Sequence, residues 1–353
     1  MGISALTLVP GLSGGSETYL RQLLAALAAV GELDYRAFFP GLADPGASGI
    51  LANVSSRYHG ARDTPRRLLA MGWATLSPGA IRRELAWDSL AAVHFPLTVM
   101  LPPPAGVPAA VTVHDLQHET FPEFFSAPER AYRRVVYGRS IRSSRLVIAI
   151  SEHVRKAVLD RYRLAPENVR TIHHGIDHRL FRPGSVERED FLLYPANNWP
   201  HKNHDRLLEA FALLRRSHPG LRLTLTGNGH ERRRLPAGVE LLGRVPFAEL
   251  PGLYRRAAAL VFPSLFEGFG QPPLEAMACG CPVAASRATS LPEVCGEAAE
   301  YFDPMAPEDI AAAVERVLSE PDRYRAAGIA QAAGFTWERS AKAHEAVYRE
   351  LLA

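Results

Sequence analysis

The chain has 353 residues, of which 47% are hydrophobic and 22% charged, with a formal net charge of +3. That length suits two domains of ordinary size, and the apolar content excludes a disordered chain. The charge divides as +5 over residues 1–180 and −2 beyond, too mild to mark a nucleic-acid binder.

In chain order, short β-branched apolar runs alternate with helical patterns. Strands are predicted at 4–9, 35–39, 91–95, 109–113, 146–150 and 169–172. Several are apolar throughout, as parallel strands covered on both faces are. Helices are predicted at 17–29, 65–83, 128–143 and 152–162, with Ser16 and Ser151 as N-caps. The rhythm then restarts. Strands are expected at 191–196, 221–226, 239–242, 259–262, 282–285 and 300–302, and helices at 204–217, 248–256, 273–279, 307–319 and 321–333. Between the halves, FRPGSVERED (181–190) carries a Pro-Gly turn and a run of charges, and reads as a linker. An amphipathic helix, 336–352, ends the chain. The pattern predicts an α/β fold of two consecutive domains with a cleft between them.

No run of 18 apolar residues suggests a membrane span, the opening residues lack the basic flank of a signal peptide, and Leu6 misfits an N-myristoylation pattern. Cys279, Cys281 and Cys295 cannot all pair, which favours a reducing cytoplasm, and they read as small buried residues rather than zinc ligands. The basic residues are 37 arginines and only three lysines, Lys156, Lys202 and Lys342.

The stretch from Ser264 to Ser286, SLFEGFGQPPLEAMACGCPVAAS, carries the most chemistry. A strand ends before it and a helix starts near Pro272–Pro273. Gly268 and Gly270 leave the backbone bare there, and N–H groups at a helix N-terminus suit a diphosphate. Glu267 precedes the turn and Glu275 follows it, so one carboxylate can face a cleft while the other reaches hydroxyls beside bound phosphates. Lys202, in WPHKNH after the first strand of the second half, can neutralise a departing diphosphate as a compact ammonium. Gly14 and Gly15 follow the first strand without completing a dinucleotide fingerprint, because position 13 is Ser. His114 and Asp115 end the strand 109–113, where α/β ligands bind. Alone, that pair would also suit a metal phosphohydrolase. His173, His174, His201 and His204 lack carboxylates at ligand spacing, so no metal site is expected.

The spacing of Glu267 and Glu275 within EGFGQPPLEAMACGCPV resembles the signature of retaining glycosyltransferases of family 4, which share the GT-B fold. The likeness covers essentially the whole chain, through GLSGGSETYL, VTVHDLQHETFPEFF, ISEHVRKAVL, HHGIDHRLFRP, NNWPHKNHDRLLEAF, LTGNGHE and FTWERSA. The resemblance implies two Rossmann-like domains facing a central cleft. Residues 1–180 would bind acceptor and 191–335 the nucleotide sugar, with the helix 336–353 crossing back to the first domain. Glu275 would hydrogen-bond the donor ribose, Glu267 would lie beside the transferred sugar, and the amides of Gly268, Phe269 and Gly270 would hold the diphosphate. His114 would contact the donor sugar, and Asp115 would orient it or the acceptor. The loop of Gly14 and Gly15 would approach the donor phosphate or the acceptor. The segment 241–250 resembles the part beside the nucleobase, where the backbone around Arg244 and Val245 would read the ring edge. The family often places an arginine about six residues before Lys202; here Ala196 stands there, followed by Asn197 and Asn198.

The implied activity is retaining transfer of a hexose, mannose or a related sugar, to a saccharide or lipid-linked acceptor without metal or cofactor. The PHKNH and VHDLQHETFPEFF stretches resemble enzymes with GDP-mannose-type donors, which favours a GDP-sugar over a UDP-sugar. Two alternatives stay open: a nucleotide-sugar epimerase or hydrolase on the same fold, and a non-catalytic binding subunit. Arginines crowd 130–145 and also occur at 62, 66 and 67. They read either as solvated helix faces or as a contact with an anionic membrane, giving an expected location in the cytoplasm, with peripheral attachment to the inner face of the membrane as the second reading.

Overall fold

A computed structural model describes residues 1–12, 14–230 and 235–353. Ser13, before the glycine pair, and Glu231, the last residue of LTGNGHE, lie outside the described residues. Two units are present: Met1–Gly175 with Trp337–Ala353, and Ile176–Thr336.

Unit 1 contains the strands β1 (Gly2–Ser4), β2 (Arg36–Phe39), β3 (Leu51–Val54), β4 (Val93–Phe95), β5 (Ala109–Val113), β6 (Leu146–Ala149) and β7 (Val169–Thr171). They form a parallel sheet in the order β3-β2-β1-β4-β5-β6-β7. Unit 2 contains β8 (Glu189–Pro195), β9 (Arg222–Thr226), β10 (Val239–Leu241), β11 (Ala257–Phe262), β12 (Val283–Ser286) and β13 (Glu300–Phe302), parallel in the order β10-β9-β8-β11-β12-β13. The central strands are buried along their length, so each sheet needs helices on both faces. In each unit the strand order reverses once, between β1 and β4 and between β8 and β11. Ligands of such sheets bind outside the carboxyl ends of the strands at that reversal.

The helix Trp337–Leu352 completes unit 1. Its Trp337, Ala341 and Tyr348 pack into a core with Tyr19, Leu20, Leu23 and Leu27 of the helix Gly15–Val30. Val347 and Leu351 cover Ala110 and Ile148 on β5 and β6.

Several elements differ from the sequence expectation. The first strand is Gly2–Ser4 rather than 4–9, because the chain turns at Leu6 and Thr7. Strand β3 was not expected; it lies at a sheet edge, largely exposed, and its LANV has no apolar run to announce it. The helix expected over 65–83 is two, Thr64–Leu76 and Pro78–Glu84. Pro78 forces Ser77 out of the helical region, to φ −124° and ψ 53°. The cap of Gly15–Val30 is Gly14 rather than Ser16, since Gly14 takes φ +51° and the helix has begun before Ser16. Ser151 does cap its helix, accepting from the Val154 N–H. The stretch 181–190 is not a free linker: Phe181 is buried against the rings of Phe247 and Tyr254, and Glu189–Asp190 already belong to β8. All three cysteines are buried, and burial pushes their thiols up to about 12.

Candidate active site

In unit 2, Lys202 follows β8 and Glu267 follows β11, the two strands at which the order reverses. Lys202 Nζ donates to Glu267 Oε1 at 2.6 Å, with both side chains only 13% exposed. The ammonium also lies 5.6 Å from the centre of the Phe262 ring. Its backbone is fixed locally. The Tyr194 hydroxyl donates to the Lys202 carbonyl at 2.6 Å. The next residue, Asn203, adopts φ +60°, which asparagine tolerates, and its amide donates to the carbonyls of Pro263 and Pro304. That amide therefore ties the end of β11 to the turn carrying Lys202.

The Glu267 loop is anchored on the segment after β12. The Glu267 N–H donates to Thr289 Oγ1 at 3.0 Å, and Ser290 Oγ lies 3.0 Å and 2.8 Å from the carbonyls of Glu267 and Phe269. The loop ends at Gly270, whose φ of +108° introduces the helix Gln271–Ala278 without a capping side chain. A Cβ there would stand 2.7 Å from Leu291. Thr289 and Ser290 had no visible role in the sequence; a hydroxyl pair after a buried strand is the signal that could have found them.

Glu275 lies one turn into that helix and is buried, accepting from the Tyr254 hydroxyl at 3.0 Å. Burial pushes its carboxyl up to about 8, against the opposing hydrogen bonds from Tyr254 and Gln271. At neutral pH it is therefore mostly an un-ionised acid, able to donate as well as accept. His201, the residue before Lys202, is driven down to about 3, first by burial and then by the Lys202 charge, so its ring is neutral.

Ala196, at the position where the family arginine was sought, brings no charge. Its carbonyl accepts from His230 Nε2. Asn197 Oδ1 accepts from the Asn228 N–H at 2.8 Å and the Asn198 amide donates to the Gly229 carbonyl at 2.8 Å, so both asparagines brace the loop after β9. The turn holding Arg244 and Val245 reaches the same loop, with Gly227 N–H donating to the Gly243 carbonyl at 2.7 Å.

In unit 1, Gly14 and Gly15 open the helix that carries Tyr19, and the Tyr19 ring meets the His114 ring edge-on at 5.0 Å. The glycine pair, His114 and Asp115 thus share one end of the sheet. His114 Nε2 donates to the Pro96 carbonyl at 2.8 Å, and burial holds the imidazole below its ordinary pKa. Asp115 accepts from the Gln117 N–H and lies 3.9 Å from the Arg133 guanidinium.

Behind His114 runs a buried polar chain that the sequence did not reveal. His344 Nδ1 faces the Ser340 carbonyl at 2.8 Å, so it carries the proton. Nε2 must then accept from the Tyr19 hydroxyl at 2.9 Å, and the Tyr19 oxygen accepts from Thr112 at 3.0 Å. Thr112 in turn accepts from His94 Nε2 at 2.8 Å, and His94 Nδ1 accepts from Tyr348 at 2.8 Å. Burial drives His344 down to about 4 and His94 well below its ordinary value, keeping both rings neutral as this pattern demands. The chain joins β4, β5, the helix Gly15–Val30 and the helix Trp337–Leu352.

Comparison with known proteins finds likeness over both units. Residues 13–180 match the Glycosyltransferase Family 4 family and residues 177–333 match Glycosyl transferases group 1. The chain is 31% identical over 257 residues to the O-antigen chain mannosyltransferase B of Escherichia coli, covering 65% of this chain and 67% of that protein. It is also 31% identical over 278 residues to a D-inositol 3-phosphate glycosyltransferase of Segniliparus rotundus, covering 70% and 62%. Among solved structures, the sucrose-phosphate synthase of Thermosynechococcus elongatus superposes with a TM-score of 0.78 at 21% identity, covering 99% of this chain and 98% of that one. HepE of Anabaena, solved with UDP and glucose, superposes with a TM-score of 0.74 at 18% identity, over 99% and 100%. These likenesses show the fold, the GT-B combination of two parallel-sheet α/β units. With both halves matched in order and a mannosyltransferase relative 31% identical, the chain belongs to the family 4 glycosyltransferases and is a mannosyltransferase-like enzyme.

Proposed function

We propose that this enzyme transfers mannose or a closely related hexose from a GDP-sugar to a glycan or lipid-linked acceptor, retaining the anomeric configuration and using no metal. The observation that carries the reading is the Lys202–Glu267 pair at the strand-order reversal of unit 2, beside the glycine loop that opens a helix. The sugar rests on the Escherichia coli relative named as a mannosyltransferase. A nucleotide diphosphate donor is supported by the HepE complex with UDP and glucose.

In this reading the bond from C1 of the sugar to the diphosphate oxygen breaks, and its electron pair stays on that oxygen. Lys202 and the amides of Gly268, Phe269 and Gly270 stabilise the charge that develops there. The acceptor hydroxyl attacks C1 from the face the diphosphate is leaving, and its proton passes to a phosphate oxygen. Glu267 holds Lys202 in place and lies beside the sugar, while Glu275 binds the ribose hydroxyls. The backbone around Arg244 and Val245 reads the base. In unit 1, His114 contacts the sugar, Asp115 orients it or the acceptor, and the Gly14–Gly15 loop admits the substrate closely.

Three measurements test the reading together. Thermal shift with GDP and UDP should show stabilisation by GDP; stabilisation by UDP alone would reverse the donor assignment. The NMR coupling at the product's anomeric carbon should match that of the donor, in the presence of a chelator. Lys202→Ala and Glu267→Gln should both lose turnover; unchanged turnover in both would remove the site assignment. Donor consumed without acceptor would replace transfer by hydrolysis or epimerisation.

A further inference from the structure

The turn that carries Lys202 also presents an aromatic ring to solvent. Trp199 is 53% exposed, more than any other tryptophan of the chain, whereas Trp87 and Trp337 are buried. Its backbone is fixed. Trp199 is extended at φ −94° and ψ 148°, as a residue before a proline must be, and Pro200 opens the short 3-10 turn Pro200–Lys202. The Lys202 N–H donates to the Trp199 carbonyl at 2.9 Å, and the Trp199 N–H donates to the Asn197 carbonyl at 2.8 Å. On one side the Asn198 N–H donates to the Asn228 carbonyl, in the loop after β9. On the other the Leu265 N–H, after β11, donates to the His201 carbonyl. The indole therefore stands on a turn tied to both neighbouring loops.

The His201 ring lies 5.7 Å from the indole, tilted by 34°. That imidazole is neutral, so it supports the indole as a second flat ring and not as a cation. Among the described residues no other aromatic ring or cation is stacked on Trp199. Its position points to a ligand. The carboxyl end of β8 borders the strand-order reversal, where ligands of such sheets bind, and Lys202 on the same turn faces Glu267. The turn leads into the helix His204–Ser217, which packs on Pro307–Ser319, whereas the helix Leu250–Arg256 packs on Gln271–Ala278. Right-handed crossovers put these two pairs on opposite faces of the sheet. Glu275 belongs to the second pair, so Trp199 is set apart from the carboxyl assigned to the ribose.

We propose that Trp199 is a stacking platform for a sugar ring of the acceptor glycan. A pyranose carries C–H groups across its ring faces and hydroxyls around its rim. Those C–H groups can lie flat on the electron-rich face of an indole while the hydroxyls stay in water. The stack would hold the acceptor beside Lys202 and Glu267, and the shape of its C–H face would decide which sugar is accepted. A nucleobase also stacks on an indole, but the ribose carboxyl lies on the other face of the sheet. The proposal rests on the glycan-acceptor reading above, and its test separates it from the choice of donor.

The experiment is saturation-transfer NMR on the intact chain, with GDP and again with UDP, titrating disaccharides of mannose, galactose and glucose in turn. At least one should bind, with the C–H protons of a single ring face saturated most strongly. Trp199→Ala should weaken that binding about tenfold and raise the KM for the same acceptor by a similar factor, while Trp199→Phe keeps most of both. The side chain lies on the surface, so the melting temperature and its rise with nucleotide should not change in either variant. Equal sugar affinity in the alanine variant and the parent would overturn the proposal, as would a parent that binds none of the sugars. A sugar bound through Trp199 but never used as acceptor would overturn it too. A raised donor KM with unchanged sugar binding in Trp199→Ala would move the indole to the donor and sink the acceptor assignment. Sugar bound through Trp199 with turnover of UDP-sugars alone would reverse the donor assignment and leave this proposal standing.

Discussion

Lys202 and Glu267 hold each other in a nearly dry setting, so removing one leaves the other without its partner. Lys202→Ala should lower kcat by about a hundred- to a thousandfold, the usual loss for one donor to a developing anion. Nucleotide binding should weaken far less, which donor turnover and thermal shift read separately. Glu275 gives a second prediction. Its folded carboxyl keeps a proton to about pH 8, whereas an ordinary glutamate loses it near 4.5. Between those values the folded state binds more protons than the unfolded one, so this residue makes stability fall as pH rises across that window. Glu275→Gln should flatten that fall, seen as a smaller loss of Tm between about pH 5 and pH 8.5. The sequence singled out Lys202, because lysine is otherwise so rare in it. It did not show that Lys202 pairs with Glu267, since they are 65 positions apart and meet only when two non-consecutive strands become neighbours.

At the level of elements, the glycine loop and the buried polar chain each carry a prediction. Gly270→Ala would combine a disfavoured φ with a clash against Leu291, and should cost about 1–3 kcal/mol by urea unfolding along with most activity. His344→Ala removes the acceptor of the Tyr19 hydroxyl and leaves a cavity, at a cost of about 3 kcal/mol. His344→Gln should recover part of that by offering Tyr19 an oxygen. If both variants were as stable as the parent, the hydrogen-bond directions inferred here would be wrong. Apolar strands such as AAVTV and LVIA were readable because burial on both faces writes itself as composition. Tyr19, His94, Thr112, His344 and Tyr348 were not, because each is ordinary in its own element and the chain exists only where four elements converge.

Across the whole molecule, both sheets share one strand order, to which unit 1 adds β7 at one edge. The amphipathic pattern of the last helix was legible, whereas the partners of its apolar face were set by the fold. Cutting the chain after Thr336 would strip the cover from Tyr19, Leu23, Ala110 and Ile148. Hydrogen exchange should then rise in β1, β4 and β5 and stay unchanged in β8, β11 and β12. An equal rise in both units would show that the helix supports more than the unit it packs into.

That same return has a consequence for synthesis. Unit 2 is continuous in the chain, but unit 1 waits for Trp337–Ala353, which the ribosome makes only after all of Ile176–Thr336. At about 5–20 residues per second the delay is on the order of ten seconds. During it the Tyr19 hydroxyl lacks its His344 acceptor, and the leucines of the first helix lack the part of their cover that Trp337, Ala341 and Tyr348 supply. Unit 2 can mature on its own schedule, while the nascent first unit is the part that a chaperone would have to hold.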